Sequence, residues 1–279
     1  MKNMMALYEQ TTLECSRLIT QRYSTSFTLG IKTLDRKFHW AIYAIYGFVR
    51  YADEIVDTFH NFDKKDLLLR FKKDTYQAID EGISLNPVLH SFQKVVNQYG
   101  IEKELIEAFL VSMEMDLEET SYTKDGYETY IYGSAEVVGL MCLRVFCEGD
   151  RNEYDSLSEP ARRLGSAFQK VNFLRDIKSD FHDRGRVYFP GVDFKSFSAK
   201  DKLIIEADIQ EDFDAALSGI RRLPRSARMG VYLAYCYYLR LFAKIKAVPF
   251  ARIQEERIRV PDFQKLMMLA KTYVSYRTI

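Results

Sequence analysis

The chain is poor in the residues that break or staple a fold. Its 279 residues include 13 glycines, 6 prolines, 4 cysteines and a single tryptophan. The prolines, at 87, 160, 190, 224, 249 and 261, are widely spaced, and so few breakers imply long helices joined by short loops. Runs of Val, Ile and Thr with period two are missing, which leaves no strand pattern. Cys15, Cys142, Cys147 and Cys236 form no CxxC pair, and Cys142 and Cys147 lie in an apolar run that fits buried thiols in a reducing compartment. His39, His60 and His90 lack the mutual spacing of a zinc site, and His182 reads as a flanking exposed histidine in preference to a proton acceptor. An excess of one charge is missing too. Forty Lys and Arg stand against 39 Asp and Glu, so there is no basic field to recruit nucleic acid. No window reaches the roughly 18 uninterrupted apolar residues of a spanning helix. The most apolar stretch, Val231 to Val248, carries Arg240, Lys244 and Lys246. The opening MKNMMALYEQ lacks the apolar core of a secretory signal, so a cytoplasmic protein is expected.

What is abundant is apolar and aromatic material. Hydrophobic residues make up 47%, with 19 Phe and 19 Tyr, enough to fill a core or to line an apolar cavity. The pattern predicts helices at 4–22, 36–58, 65–81, 87–98, 102–120, 126–147, 152–182, 199–222, 225–246 and 262–277. There is no repeat and no linker, so residues 1–279 are expected to form one all-α domain. Residues 183–198, DRGRVYFPGVDFKSFS, are the one long non-helical stretch, of the kind that often forms a lid or binding loop.

Two acidic pairs carry the chemistry: Asp53 with Asp57 in FVRYADEIVDTFH, and Asp176 with Asp180 in FQKVNFLRDIKSDFHDRGR. At i, i+4 spacing both carboxylates of a pair share one helix face, about 6 Å apart along the axis. Like charges so close oppose the helix unless a cation lies between them. Mg²⁺ suits that position, because it takes one or two carboxylates together with phosphate oxygens and water. Arg50 lies one turn before Asp53, Arg175 beside Asp176, and Arg184 and Arg186 just beyond the second pair. Guanidinium groups hold phosphate oxygens through paired hydrogen bonds. Asn172 and Gln169 add amide groups to the same face as Asp176. A single DxxxD is usually a solvated surface. Here Phe48, Val49, Ile55 and Val56 around one pair, and Val171, Phe173, Leu174 and Ile177 around the other, leave acids inside apolar helices, where they need partners. By contrast, Tyr235, Tyr237 and Tyr238 read as core packing, and the charge run Gln254 to Arg259 as a solvated face.

Five segments occur in one order: YSTSF (Tyr23 to Phe27), WAIYAIYGFVRYADEIVD (Trp40 to Asp57), MEMDLE (Met113 to Glu118), YIYGSAEVVGLM (Tyr130 to Met141) and GSAFQKVNFLRDIKSDFHDRGRVYFP (Gly165 to Pro190). In order and spacing this set resembles the motifs of the squalene/phytoene synthase family, over roughly residues 8 to 250. The resemblance implies an isoprenoid-synthase-type all-α bundle around a central apolar cavity. It implies Mg²⁺, with Mn²⁺ as an alternative, on Asp53, Asp57, Asn172, Asp176 and Asp180. By the same resemblance Arg50, Arg175, Tyr46, Gln169, Ser24, Ser26 and Phe27 bind substrate, and Tyr130 lies at the reacting carbons. Arg184, Arg186 and Tyr188 fall on a flap over the site, Asp116 faces the cavity, and Tyr238 stands where some relatives carry a tyrosine near diphosphate. Two positions depart from the family pattern: Glu54 gives DExxD in place of DDxxD, and Glu136 replaces a glycine near the cavity.

The implied activity is head-to-head condensation of two geranylgeranyl diphosphates to phytoene, through a cyclopropylcarbinyl diphosphate. No Gly-rich dinucleotide fingerprint is present, and NADPH is not expected. Ile31, one turn beyond Phe27, is modest in size and leaves room for a long chain. Squalene or dehydrosqualene synthesis from two farnesyl diphosphates is the alternative product. A chain-elongating or cyclising prenyl enzyme and a catalytically inactive assembly subunit are the alternatives of other classes. A hydrocarbon product leaves into a bilayer, which implies peripheral membrane contact at release.

Overall fold

The computed structural model describes residues 4–118, 122–178, 188–190, 198–255, 257–261, 263–264, 267–269 and 272. Among these the architecture is all-α. In chain order the helices are α1 (Met4–Tyr23), α2 (Thr25–Lys32), α3 (Arg36–Asp57), α4 (Lys64–Glu81), α5 (Pro87–Tyr99), α6 (Lys103–Glu118) and α7 (Lys124–Ile131). A π-helical turn (Tyr132–Glu136) then leads into α8 (Val137–Phe146), α9 (Arg151–Ile177), α10 (Ala199–Arg222), α11 (Arg225–Lys246) and α12 (Phe250–Glu255). None of them is long and apolar enough to cross a membrane.

Local chemistry explains most of the boundaries. Asp35, Asp63 and Asp150 cap α3, α4 and α9 by accepting first-turn amides. Asn86 does the same for α5, where Pro87 supplies a preset first residue. Gly82 and Gly100 end α4 and α5 in the left-handed conformation (φ 70° and 64°). Ser198 and Asp201 cap α10 reciprocally. Pro160 lies inside α9, and α10 crosses it at Gly219, where an added Cβ would lie 2.2 Å from the Pro160 Cβ. Only glycine allows that approach.

Three elements differ from the sequence expectation. Helix α2 was not expected. Ser24 sits extended and accepts the Phe27 amide, which opens a short helix where the breaker pattern suggested a loop. The expected 126–147 helix is interrupted by the π turn, where the Val137 amide reaches back to the Tyr132 carbonyl. Helix α12 was likewise not expected. The helix expected at 262–277 falls largely outside the described residues, and of the non-helical stretch expected at 183–198 only residues 188–190 and 198 lie among them.

The core forms two clusters. The first surrounds α3, whose Phe48 stacks on Phe92 at 3.9 Å between ring centroids and also meets Phe71 and Phe109. The second joins the C-terminal half of α9 to α10 and α11 around Phe213, Leu241 and Phe242. Leu241 and Phe213 are fully buried, so each is worth about 2–3 kcal/mol of hydrophobic stabilisation. Between the clusters runs the cavity.

Candidate active site

A cavity of ≈ 440 Å³ lies among α2, α3, α8, α9, α10 and α11. Most of its wall is apolar, including Ile31, Leu34, Leu157, Ile220 and Leu223. Ile31 thus lies on the wall, as the sequence suggested. At one end polar groups converge. Arg50 and Asp53 come from α3, Gln169 and Asn172 from α9, and Tyr238 from α11.

Helix α3 delivers its polar groups as the spacing required. Phe48, Ala52, Ile55 and Val56 are buried, which turns Arg50, Asp53 and Asp57 to the less buried side. Arg50 donates to Asp53 at 2.5 Å and also pairs with Glu54. Its guanidinium lies 4.4 Å from the centre of the Tyr23 ring. Burial works against the Arg50 charge, but Asp53 and Glu54 outweigh it and hold Arg50 above its usual pKa. Tyr46, one turn earlier, has its hydroxyl pushed up to about 12 by burial, and its ring lies 5.4 Å from that of Phe27. Phe27 and Ser26 line the cavity, whereas Ser24 caps α2.

Helix α9 brings the second set. Asn172 donates to Gln169 at 3.5 Å and accepts the Tyr238 hydroxyl at 3.3 Å. Asp176 accepts from Arg175 at 3.0 and 2.5 Å. It also accepts from a terminal nitrogen of Arg257 at 3.3 Å, and Arg257 Nε lies 2.7 Å away in an ion pair. Burial disfavours the Arg175 charge, yet contact with Asp176 leaves its pKa raised. Tyr46 feels Asp53 and Tyr238, while Tyr238 feels Arg175 and Asp176. The two acidic helices are therefore neighbours across this pair of phenols.

Tyr130 is buried and donates to Asp116 at 2.9 Å. Burial, then Asp116, raises its pKa well above the usual value, so it stays a neutral donor. Tyr188 stacks on Phe173 at 4.1 Å and lies 5.3 Å from Tyr130. Asp180, Arg184 and Arg186 lie outside the described residues, and so does His182. Glu136 turns away from the cavity and accepts from Arg162 at 2.7 Å and Ser166 at 2.8 Å. Its neighbours Ser134 and Ala135 line the wall instead. The departure from glycine is thus absorbed on the far side of the π turn.

Two sequence expectations need correction. Tyr237 is not merely core: it lines the cavity, as does Tyr238, for which the resemblance had left a place near diphosphate open and which stacks on Phe168 at 3.9 Å. Tyr235 does pack inside, against Phe213. The run Gln254 to Arg259 is not simply a solvated face, since Arg257 reaches Asp176 while Ile258 is buried. No signal in the sequence marked Arg257, because its partner lies 81 positions away. The cysteines are free; burial pushes the thiols of Cys142 and Cys147 up to about 12.

Among the described residues no three His, Cys, Asp or Glu side chains form a ready metal cage. Mg²⁺ does not need one, because its shell is completed by phosphate oxygens and water. The donor set of Asp53, Asn172 and Asp176 consists of hard oxygens, and cationic groups already balance both carboxylates. That chemistry fits a divalent cation.

Comparison with known proteins agrees with this architecture. Residues 20–264 match the squalene/phytoene synthase family model, and the chain belongs to that family. It is 26% identical to a phytoene synthase of Arthrospira platensis, over 95% of this chain and 94% of that one. It is 29% identical to a presqualene diphosphate synthase of Rhodopseudomonas palustris, over 66% of this chain and 65% of that one. Among solved structures, a dehydrosqualene synthase in complex with ligand superposes with a TM-score of 0.82 at 20% identity, covering 97% of this chain and 98% of that one. The protein is an enzyme of the prenyltransferase type.

Proposed function

We propose that this enzyme joins two geranylgeranyl diphosphates head to head to give phytoene. The observation that carries this reading is one cavity with two chemically distinct parts. A carboxylate, amide and guanidinium end suits diphosphate, and an apolar remainder suits prenyl chains. Asp53, Asp57, Asn172, Asp176 and Asp180 would hold Mg²⁺, or Mn²⁺ in its place. When bound, the cation supplies positive charge against the diphosphate oxygens.

The chain's own residues do the rest. Arg50 and Arg175, with Tyr46, Ser26 and Gln169, bind and orient the diphosphates, and their fixed dipoles favour charge on the departing group. Loss of diphosphate from one substrate leaves an allylic cation at C1. The double bond of the second substrate attacks it, and proton loss closes the cyclopropylcarbinyl diphosphate. A second ionisation, rearrangement and proton loss give the triene-cored hydrocarbon. No reductant enters this sequence, so NADPH is not required. The apolar wall excludes water that would quench either cation, and the faces of Phe27, Tyr46, Phe168 and Tyr238 favour positive charge beside them. Asp116 fixes the Tyr130 hydroxyl. Arg184, Arg186 and Tyr188 would belong to a flap over the site, as the family resemblance implies, and peripheral membrane contact would accompany release of the hydrocarbon.

A second reading, presqualene-type or dehydrosqualene-type condensation of two farnesyl diphosphates, is favoured by the 29% identical relative and the 0.82 superposition. Incubation with each diphosphate and Mg²⁺, with and without NADPH, followed by mass analysis of extracted lipids, separates them. A C40 product independent of NADPH supports phytoene synthesis. A C30 hydrocarbon or presqualene diphosphate from farnesyl diphosphate moves the enzyme to the second reading. Neither product from either substrate points to an inactive assembly subunit.

A further inference from the structure

Asp176 is crowded with donors. Its Oδ1 accepts Arg175 Nε at 3.0 Å and lies 2.7 Å from Arg257 Nε in an ion pair. Its Oδ2 accepts the terminal nitrogens of Arg175 at 2.5 Å and Arg257 at 3.3 Å. A carboxylate offers about four lone-pair sites, and among the described residues three guanidinium hydrogen bonds and the Arg257 ion-pair contact crowd them. A divalent cation at Asp176 needs one of those sites and so competes with a guanidinium for it.

The two arginines are unequal. Arg175 is the neighbour of Asp176 on α9 and only 19% of its side chain is exposed. Arg257 reaches in from non-helical chain and is 49% exposed. An exposed guanidinium regains water when it lets go, so its pair is the weaker one. The chain beneath stays anchored whichever way Arg257 points. Ile258 and Val260 are buried, and the Arg259 carbonyl accepts Lys244 Nζ at 3.1 Å. Further along the same segment Met268 lines the cavity.

We propose that Arg257 is a removable stand-in for the divalent cation at Asp176, so that cation binding there and the Arg257 pair exclude each other. This rests on Asp176 being a cation ligand, as in the proposed function. Arg257 is then a positioning residue. It keeps the second carboxylate neutralised and oriented until the cation displaces it, and it ties that step to the segment that bears Met268.

The test is Mn²⁺ binding without substrate, followed by electron paramagnetic resonance, in the wild type, Arg257→Gln, Arg257→Lys and Asp176→Asn. Removing the competitor should tighten Mn²⁺ about threefold or more in Arg257→Gln. The lysine variant keeps the charge but loses the paired hydrogen bonds, so it should also bind more tightly than wild type. In the wild type, Mn²⁺ should speed modification of Arg257 by phenylglyoxal, read by peptide mass. In Asp176→Asn that modification should be fast with or without the ion. If Asp176→Asn weakens Mn²⁺ binding while Arg257→Gln does not tighten it, the stand-in role is overturned and the metal reading survives. If Asp176→Asn leaves Mn²⁺ binding unchanged, Asp176 is no ligand and both ideas fall. Mn²⁺-independent labelling of wild-type Arg257 also overturns the proposal.

Discussion

The two acidic helix ends, of α3 and of α9, solve one electrostatic problem in different ways. On α3, Asp53 is held by Arg50, three residues earlier on the same helix, and its side chain is 40% exposed. On α9, Asp176 is 19% exposed and is held both by its neighbour Arg175 and by Arg257 from far along the chain. The first arrangement is written into one helical turn; the second exists only after the C-terminal segment has packed. An acid beside apolar side chains needs a partner, the more so the more it is buried. Asp176, the more enclosed of the two, has two guanidinium partners from separate parts of the chain.

The comparison can be broken outright by removing the metal. If both ends work through a shared divalent cation, a chelator should abolish product formation and Mg²⁺ should restore it in full. Activity that survives thorough chelation would sink the metal reading for both ends. Next in size, Asp53→Asn and Asp176→Asn should each lower turnover about 10²-fold or more, the scale of lost charge stabilisation in a reacting site. A large loss from only one of them would mean that the ends are not equivalent partners.

Tyr130→Phe should cost less, about tenfold in turnover, because it removes the donor to Asp116 and leaves the polar end intact. Burial and Asp116 keep Tyr130 protonated, so the wild-type rate should show no phenol titration up to about pH 10. An alkaline limb below that pH which disappears in Tyr130→Phe would overturn the neutral-donor role. The smallest effect sharpens the local end. Arg50→Gln removes the guanidinium that Asp53 and Glu54 share, and should cost about 1 kcal/mol, or a melting shift of about 2–4 °C. Differential scanning calorimetry reads it, and saturating Mg²⁺ should return part of the loss.

Much of this was legible in advance wherever the cause is local. The DxxxD spacing on α3, the capping residues Asp35, Asp63, Asp150 and Ser198, and the apolar stripe through Phe48 and Ala52 are all set within a turn or two of sequence. Ser24 shows the limit of that logic: its side chain opens α2 within a span where the expected pattern held only a loop. Tyr238 marks another. Its spacing with Tyr235 fits a buried helix face, and the two do share one element, but only packing against Phe168 and Asn172 places Tyr238 on a cavity instead of in solid core. Glu136 was legible as a departure from the family pattern. Its outcome was not, because Arg162 and Ser166 come from another helix.

The sequence by itself determined the all-α class, most of the helix starts, the placing of Arg50 one turn before Asp53 and the family, because periodicity, caps and neighbouring charges act over a few residues. Tertiary structure alone decided where the cavity runs, which tyrosines face it, how Glu136 is neutralised and that Arg257 closes on Asp176. Those contacts join residues tens of positions apart, and nothing in the local pattern of either partner encodes the other.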